Sequence, residues 1–165
     1  MRRRSLLKYS CVVFLATSVM TAGAQAAPLL AGVGVASITP DTTTYHVPLG
    51  GYGERQNAPA VGVHDNALAK AIILKQDGKK FALVTTDLLG IVRSLRDEVL
   101  LRVKDLGITS DNLMLTASHC HASTEMNAMN RRNVLNNPAI GIFDEALLTF
   151  TADQIAKAIR AADKD

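Results

Sequence analysis

An α/β domain, built as a mixed β-sheet with covering helices, is the fold class that this sequence predicts. Three observations predict it. Short β-branched apolar runs are bounded by Gly, Pro and Asp, and two longer segments carry apolar residues at helical spacing. Their order is strand, long loop, two strands, helix, strand, loop, helix, an alternation that places helices against a sheet.

Each element has its own warrant. Leu29 to Ile38 is apolar, Gly-rich and β-branched, and Thr39-Pro40-Asp41 closes it with turn chemistry, so a first strand is expected. From Thr42 to Gly62 the chain carries Pro48, Gly50, Gly51, Gly53 and Pro59 with no apolar period. That is a long loop, and long loops in compact domains often carry function. Ala67 to Leu74 and Phe81 to Thr85 flank Gln76-Asp77-Gly78-Lys79 and predict a β-hairpin with an Asp-Gly turn. Asp87 falls just past its second strand.

Ser94 with Asp97 and Glu98 reads as a capping box, followed at helical spacing by Leu95, Val99, Leu100, Val103 and Leu106 and stopped by Gly107. Leu113 to Ala117 has apolar residues on both faces, which suits an interior strand covered on both sides. Glu125 to Pro138 is polar, Asn-rich and irregular. Asp144 and Glu145 open a last helix whose Leu147, Phe150, Ile155, Ala158, Ile159 and Ala162 form one stripe up to Asp165. Such a stripe needs a sheet face to cover, yet only about four strands precede it, where sheets commonly hold about four to six.

The amino terminus stands apart. Arg2, Arg3, Arg4 and Lys8 precede the apolar stretch Tyr9 to Met20, which ends in small residues and Ala24-Gln25-Ala26. Residues 1–26 read as a signal peptide cleaved after Ala26, leaving 27–165 as the domain. Arg3-Arg4-Ser5-Leu6-Leu7-Lys8 also has the form of a twin-arginine signal, and a general secretory signal fits equally. Either way an exported protein, periplasmic or secreted, is expected. The stretch is too short for a membrane span, and no later segment approaches the roughly 20 apolar residues that crossing requires.

Removing the leader alters the charge. The net +3 of 18 basic and 15 acidic residues becomes 14 against 15, so the basic balance belongs to the leader and gives no support for nucleic-acid binding. Cys11 leaves with the leader, Cys120 becomes the only thiol, and no internal disulfide is possible.

The candidate chemistry centres on Ser118-His119-Cys120-His121-Ala122-Ser123, at the end of an apolar run. In an extended segment residues two apart point to the same side, so His119 and His121 can face one cavity. Two readings stand: one corner of a metal site, or two histidines that merely hydrogen-bond at a strand terminus. Cys120 is a ligand, a redox-sensitive thiol or a small buried residue. His64 and Asp87 lie next to strand ends, where α/β folds build their sites, and are candidates for site lining against a reading as solvated turn residues. His46 has no partner at useful spacing and reads as surface. Arg131 and Arg132 suit an anionic head group or plain solvation, and Tyr52 a lipid-binding mouth or packing under its loop. A metal-free hydrolase using Ser118 or Ser123 with His121 lacks a Gly-x-Ser-x-Gly elbow and an acid partner.

Four blocks in order carry a resemblance. Ala31-Gly32-Val33-Gly34-Val35-Ala36-Ser37-Ile38-Thr39-Pro40, Leu49-Gly50-Gly51-Tyr52-Gly53, Gly62-Val63-His64-Asp65 with Leu68-Ala69-Lys70-Ala71, and Leu83-Val84-Thr85-Thr86-Asp87-Leu88 lead to the His-x-His strand. Together they resemble the amino-terminal catalytic domain of neutral/alkaline non-lysosomal ceramidases. The resemblance implies a zinc amidase that hydrolyses the N-acyl bond of ceramide, a lipid-like amide, with His119 as a zinc ligand and His121 as a catalytic neighbour. Cys120 and Ala122-Ser123 depart from the family's His-Thr-His-Ser-Gly. The family's other zinc ligands, a second His, a Glu and a Tyr, lie downstream of any position here. The resemblance therefore implies an incomplete part of a larger α/β catalytic domain. A second reading is a non-catalytic periplasmic metal-binding domain, closed by His119, Cys120 and His121.

Overall fold

The computed structural model describes residues 27–165, and the predicted leader lies outside the described residues. Four strands form one mixed sheet in the order β1 (Leu30–Ser37), β2 (Leu68–Gln76), β3 (Lys79–Thr86), β4 (Leu113–Ala117). The first three pair antiparallel, and β4 returns parallel to β3 through helix α1 (Arg93–Val103). Helix α2 (Glu145–Lys164) closes the described chain.

The hairpin turns on Asp77 and Gly78, both at positive φ (49° and 72°), the mirror-image turn that matches strand twist. In register, Gly32, Ile73, Ala82 and Leu113 face one side, as do Gly34, Ala71, Val84 and Leu115. Half of these residues, Gly32, Gly34, Ala71 and Ala82, are small, and α2 uses the room. It lies on β1 and β2 with α1 beside it, burying Leu147, Ile155, Ala158, Ile159 and Ala162. A Cβ placed on Gly34 would stand 2.1 Å from the Ala158 carbonyl oxygen, so only glycine permits this approach.

Alternation along the strands sends Val33, Val35, Ile72, Phe81 and Met114 to the opposite face, where they are exposed. The sheet is covered on one side among the described residues. β4, expected as an interior strand covered on both faces, is instead at the sheet edge with Met114 exposed. Its two-sided apolar sequence does not reveal which partners lie within reach.

The capping box is also corrected. The residue before α1 is Val92 with no side-chain cap, and Ser94 lies buried in the first turn, its hydroxyl accepting from the Arg131 backbone N–H at 3.0 Å. α2 starts as expected, the Asp144 carboxylate accepting from the N–H groups of Ala146 and Leu147 at 2.7 and 3.3 Å. Glu98, assigned to the box, instead joins an ion-pair network. Arg131 donates to Glu98 at 2.7 Å and also pairs with Glu145, while Arg102 bridges Glu98 to Asp153. Arg131 is thus committed to tying the irregular segment 125–138 to both helices, and is not free to meet an anionic head group. No helix among the described residues is long and apolar enough to cross a membrane.

Candidate functional site

The topology decides where chemistry collects. β1, β3 and β4 run the same way, so the loop after β1, Asp87 after β3 and Ser118–Ser123 after β4 meet at one end of the sheet. Carboxyl ends of strands are where open α/β sheets place ligands, because the departing loops leave a crevice. The segment past β4 stays zipped to that past β3: the N–H of Ser118 donates to Thr86 O at 2.9 Å and that of Cys120 to Leu88 O at 3.0 Å.

His119 and His121 do meet, but not through strand alternation. β4 ends at Ala117, and His119 adopts a left-handed φ of 64°, which costs a non-glycine residue about 1–2 kcal/mol. The turn brings the rings edge to face, centroids 4.9 Å apart at 85°, with the two Nε2 atoms 3.4 Å apart. His119 Nδ1 faces the Leu89 carbonyl at 2.9 Å. A carbonyl only accepts, so Nδ1 carries the proton and Nε2 keeps its lone pair for a ligand. Strain of this kind gathers at functional sites, where the surroundings hold it in place.

The Gly50-Gly51-Tyr52 loop braces His121. Tyr52 meets its ring at a centroid distance of 5.6 Å, and a Cβ on Gly51 would stand 2.6 Å from its Cε1. Pro48 to Gly51 runs against Ser123 to Glu125: Gly50 N donates to Ser123 O at 2.9 Å, and Glu125 N to Pro48 O at 2.8 Å. The Glu125 side chain extends this pairing by one more bond, Oε2 accepting from Gly51 N at 2.7 Å. Sequence reasoning missed Glu125. It lies in a polar, Asn-rich stretch, and nothing local shows that this acid is buried.

The other candidates gather around a separate cavity of about 450 Å³. Asp87, Cys120 and His64 line it, with Ile38, Val47 and Leu49 among its apolar walls; His119 and His121 are outside its lining. Asp87 is tied down, its Oδ2 accepting from Leu68 N at 3.0 Å. His64 pairs with Asp65 in the open, its side chain 98% exposed. His46 is exposed as expected, its Nε2 2.7 Å from Asn57 O. The turn Cys120–Thr124 is the shared wall between histidines and cavity.

The two Nε2 atoms suit zinc in kind and spacing. Ligands about 2.0–2.1 Å from a tetrahedral ion lie about 3.3–3.4 Å apart, the separation seen here. The number falls short: among the described residues no group of three or more His, Cys, Asp or Glu is placed to hold a metal ion. Cys120, turned to the cavity, does not complete one.

A family model described as neutral/alkaline non-lysosomal ceramidase, N-terminal, matches residues 29–165. No curated protein matches. Among solved structures, the neutral ceramidase from Pseudomonas aeruginosa is similar at 27% identity and a TM-score of 0.71, over 83% of this chain and 22% of that one. A ceramidase complexed with C2 is similar at 27% identity and a TM-score of 0.70, over 83% of this chain and 21% of its own. This chain thus spans about a fifth of the solved structures it matches.

Proposed function

Because the chain belongs to the neutral/alkaline non-lysosomal ceramidase family, we propose that it serves an exported, zinc-dependent amidase acting on the N-acyl bond of a ceramide-class lipid amide. The observation that carries this reading is the convergence of His119 and His121 Nε2 at 3.4 Å, with His119 oriented by the Leu89 carbonyl. His119 holds the metal through Nε2. The remaining donors come from outside the described residues, since a catalytic zinc takes about three protein ligands and keeps one position open.

Zinc bound there would lower the pKa of a water and polarise the amide carbonyl. His121 supplies the proton traffic: its ring faces the same point as His119, and an imidazole near neutrality can pass a proton to the departing amine. Gly51 and Tyr52 keep that ring from swinging away. The neighbouring cavity, apolar on the Ile38, Val47 and Leu49 side, offers burial for an acyl or sphingoid chain. The leader, with Arg3-Arg4 ahead of its apolar stretch, supports export. The closed thiolate reading gains nothing from Cys120, which faces the cavity rather than the ring pair.

The test is a zinc titration of the protein and of His119→Asn, chosen because Asn tolerates a left-handed φ and leaves the backbone undisturbed. About one zinc per chain is expected once the completing donors are supplied, with affinity lowered at least tenfold in the variant. Unchanged affinity in His119→Asn would remove the metal assignment. Failure of the zinc-loaded protein, supplied with its completing donors, to cleave any N-acylsphingosine would remove the substrate class.

A further inference from the structure

Glu125 is a carboxylate only 6% exposed, and among the described residues it makes no ion pair. Both oxygens are nevertheless occupied by backbone donors, Oε2 by Gly51 N at 2.7 Å and Oε1 by Asn127 N at 3.1 Å. Its methylene stem packs against Gly141, where a Cβ would stand 2.7 Å from Glu125 Cγ. A buried charge is costly unless fully hydrogen-bonded, so a buried carboxylate spent on two main-chain N–H groups calls for an explanation.

The explanation lies in what those groups hold. Gly51 sits at φ 73° against His121, and Tyr52 packs against the same ring in a T-shaped arrangement. The bridge Leu49↔Thr124 and the bonds on either side carry the loop only as far as Gly50. Beyond that point the Glu125 carboxylate is the acceptor that holds the Gly51 N–H, immediately before Tyr52, down beside the imidazole. We infer that Glu125 is a positioning residue: it acts through Gly51 and Tyr52 to fix the orientation of the His121 ring. The inference deepens the reading of His121 as the proton carrier and rests on it. The chemistry also explains why an acid is needed. The two N–H donors reach different oxygens of the carboxylate, and glutamine has one oxygen and an NH₂ that would oppose the second donor.

Nuclear magnetic resonance on the zinc-free, isotope-labelled protein tests this apart from any activity. In Glu125→Gln, exchange of the Gly51 or Asn127 amide proton should quicken by about tenfold or more, the loss expected for a charge-assisted bond. When Gly51 is the one released, the His121 ring protons should lose the ring-current shift that Tyr52 imposes. Amides of β2 and α2 should keep their protection, which separates a positioning effect from general loosening. The unaltered protein gives a check that needs no variant: a through-bond correlation between the Gly51 amide nitrogen and the Glu125 carboxyl carbon. Absence of that correlation, or a folded Glu125→Gln in which neither amide exchanges faster, or one in which the Gly51 amide is released and the His121 ring signals still match the parent, would overturn the inference. Failure of the parent protein to bind zinc would instead count against the proposed function and leave these signals as they are.

Discussion

Replacing Gly51 by Ala probes the candidate site most directly. The new Cβ meets two penalties of different kind. At φ 73° it occupies the left-handed region, which costs a residue with a Cβ about 1–2 kcal/mol in folding stability. It also stands 2.6 Å from His121 Cε1 and 2.7 Å from Nδ1, where an ordinary contact is roughly 3.5 Å, so something must yield by roughly 1 Å. The loop is held by Gly50 N on Ser123 O and Gly51 N on Glu125, whereas His121 is a side chain on a turn. The ring therefore moves. A shift of that size breaks the pairing of the two Nε2 atoms and so disturbs the imidazole that stands beside the metal-holding His119. Zinc affinity should fall about 10–100-fold, the usual effect of disturbing groups that orient a metal site.

Gly78→Ala is the matched control. Gly78 has nearly the same φ, 72°, with nothing within 4 Å of its Cβ position. It should show the conformational penalty in urea unfolding and no change in zinc affinity. Competition with a chelator measures the second quantity. Equal zinc affinity in the Gly51→Ala and Gly78→Ala proteins would refute the claim that the glycine loop sets the His121 ring.

Three further outcomes follow from the packing and the charges. Gly34→Ala places a Cβ 2.1 Å from Ala158 O and 2.6 Å from Ala162 N, both backbone, and should cost about 3 kcal/mol or more in urea unfolding; a loss under about 1 kcal/mol would contradict the tight seating of α2. Ile73→Ala, on the covered face, should cost about 2–5 kcal/mol, while Val35→Thr, 58% exposed, should stay within about 0.5 kcal/mol; equal losses would show that both sheet faces are covered. Hydrogen bonds from Arg102, and then from Arg131, hold the Glu98 carboxyl below the ordinary carboxylate value of 4.5. The pKa is lowered on folding, so the stability it contributes is full above 4.5 and is lost as pH falls through the folded value. Glu98→Gln should lower the neutral-pH stability and flatten the acid limb of an unfolding-against-pH curve; an unchanged slope below that value would show the network to be inert.

Much of the fold was legible because it depends on local pattern. The Gly-rich first strand, the Asp-Gly hairpin, the Asp144 cap and the α2 stripe each follow from a few neighbouring residues, and each appears within a residue or two of its expected bounds. Ser94 misled because a capping box is only a spacing, and the contact that claimed its hydroxyl, Arg131 N, lies 37 residues away. Arg131 misled likewise, since a charged pair in a polar loop looks solvated until both helices supply its carboxylates.

For the site, the sequence by itself determined the donors: two imidazoles two apart after an apolar strand, a Gly-Gly-Tyr loop, and an Asp past the hairpin. Only the tertiary structure decided how they divide. It turned His119 through a left-handed φ so that two nitrogens converge, set Cys120 with Asp87 on a different cavity, and brought the unnoticed Glu125 under the glycine loop. The physical reason is that residue type specifies which bonds a group can make. Which of them form depends on which distant backbone groups the sheet order carries to the same end, and no local window of sequence contains that information.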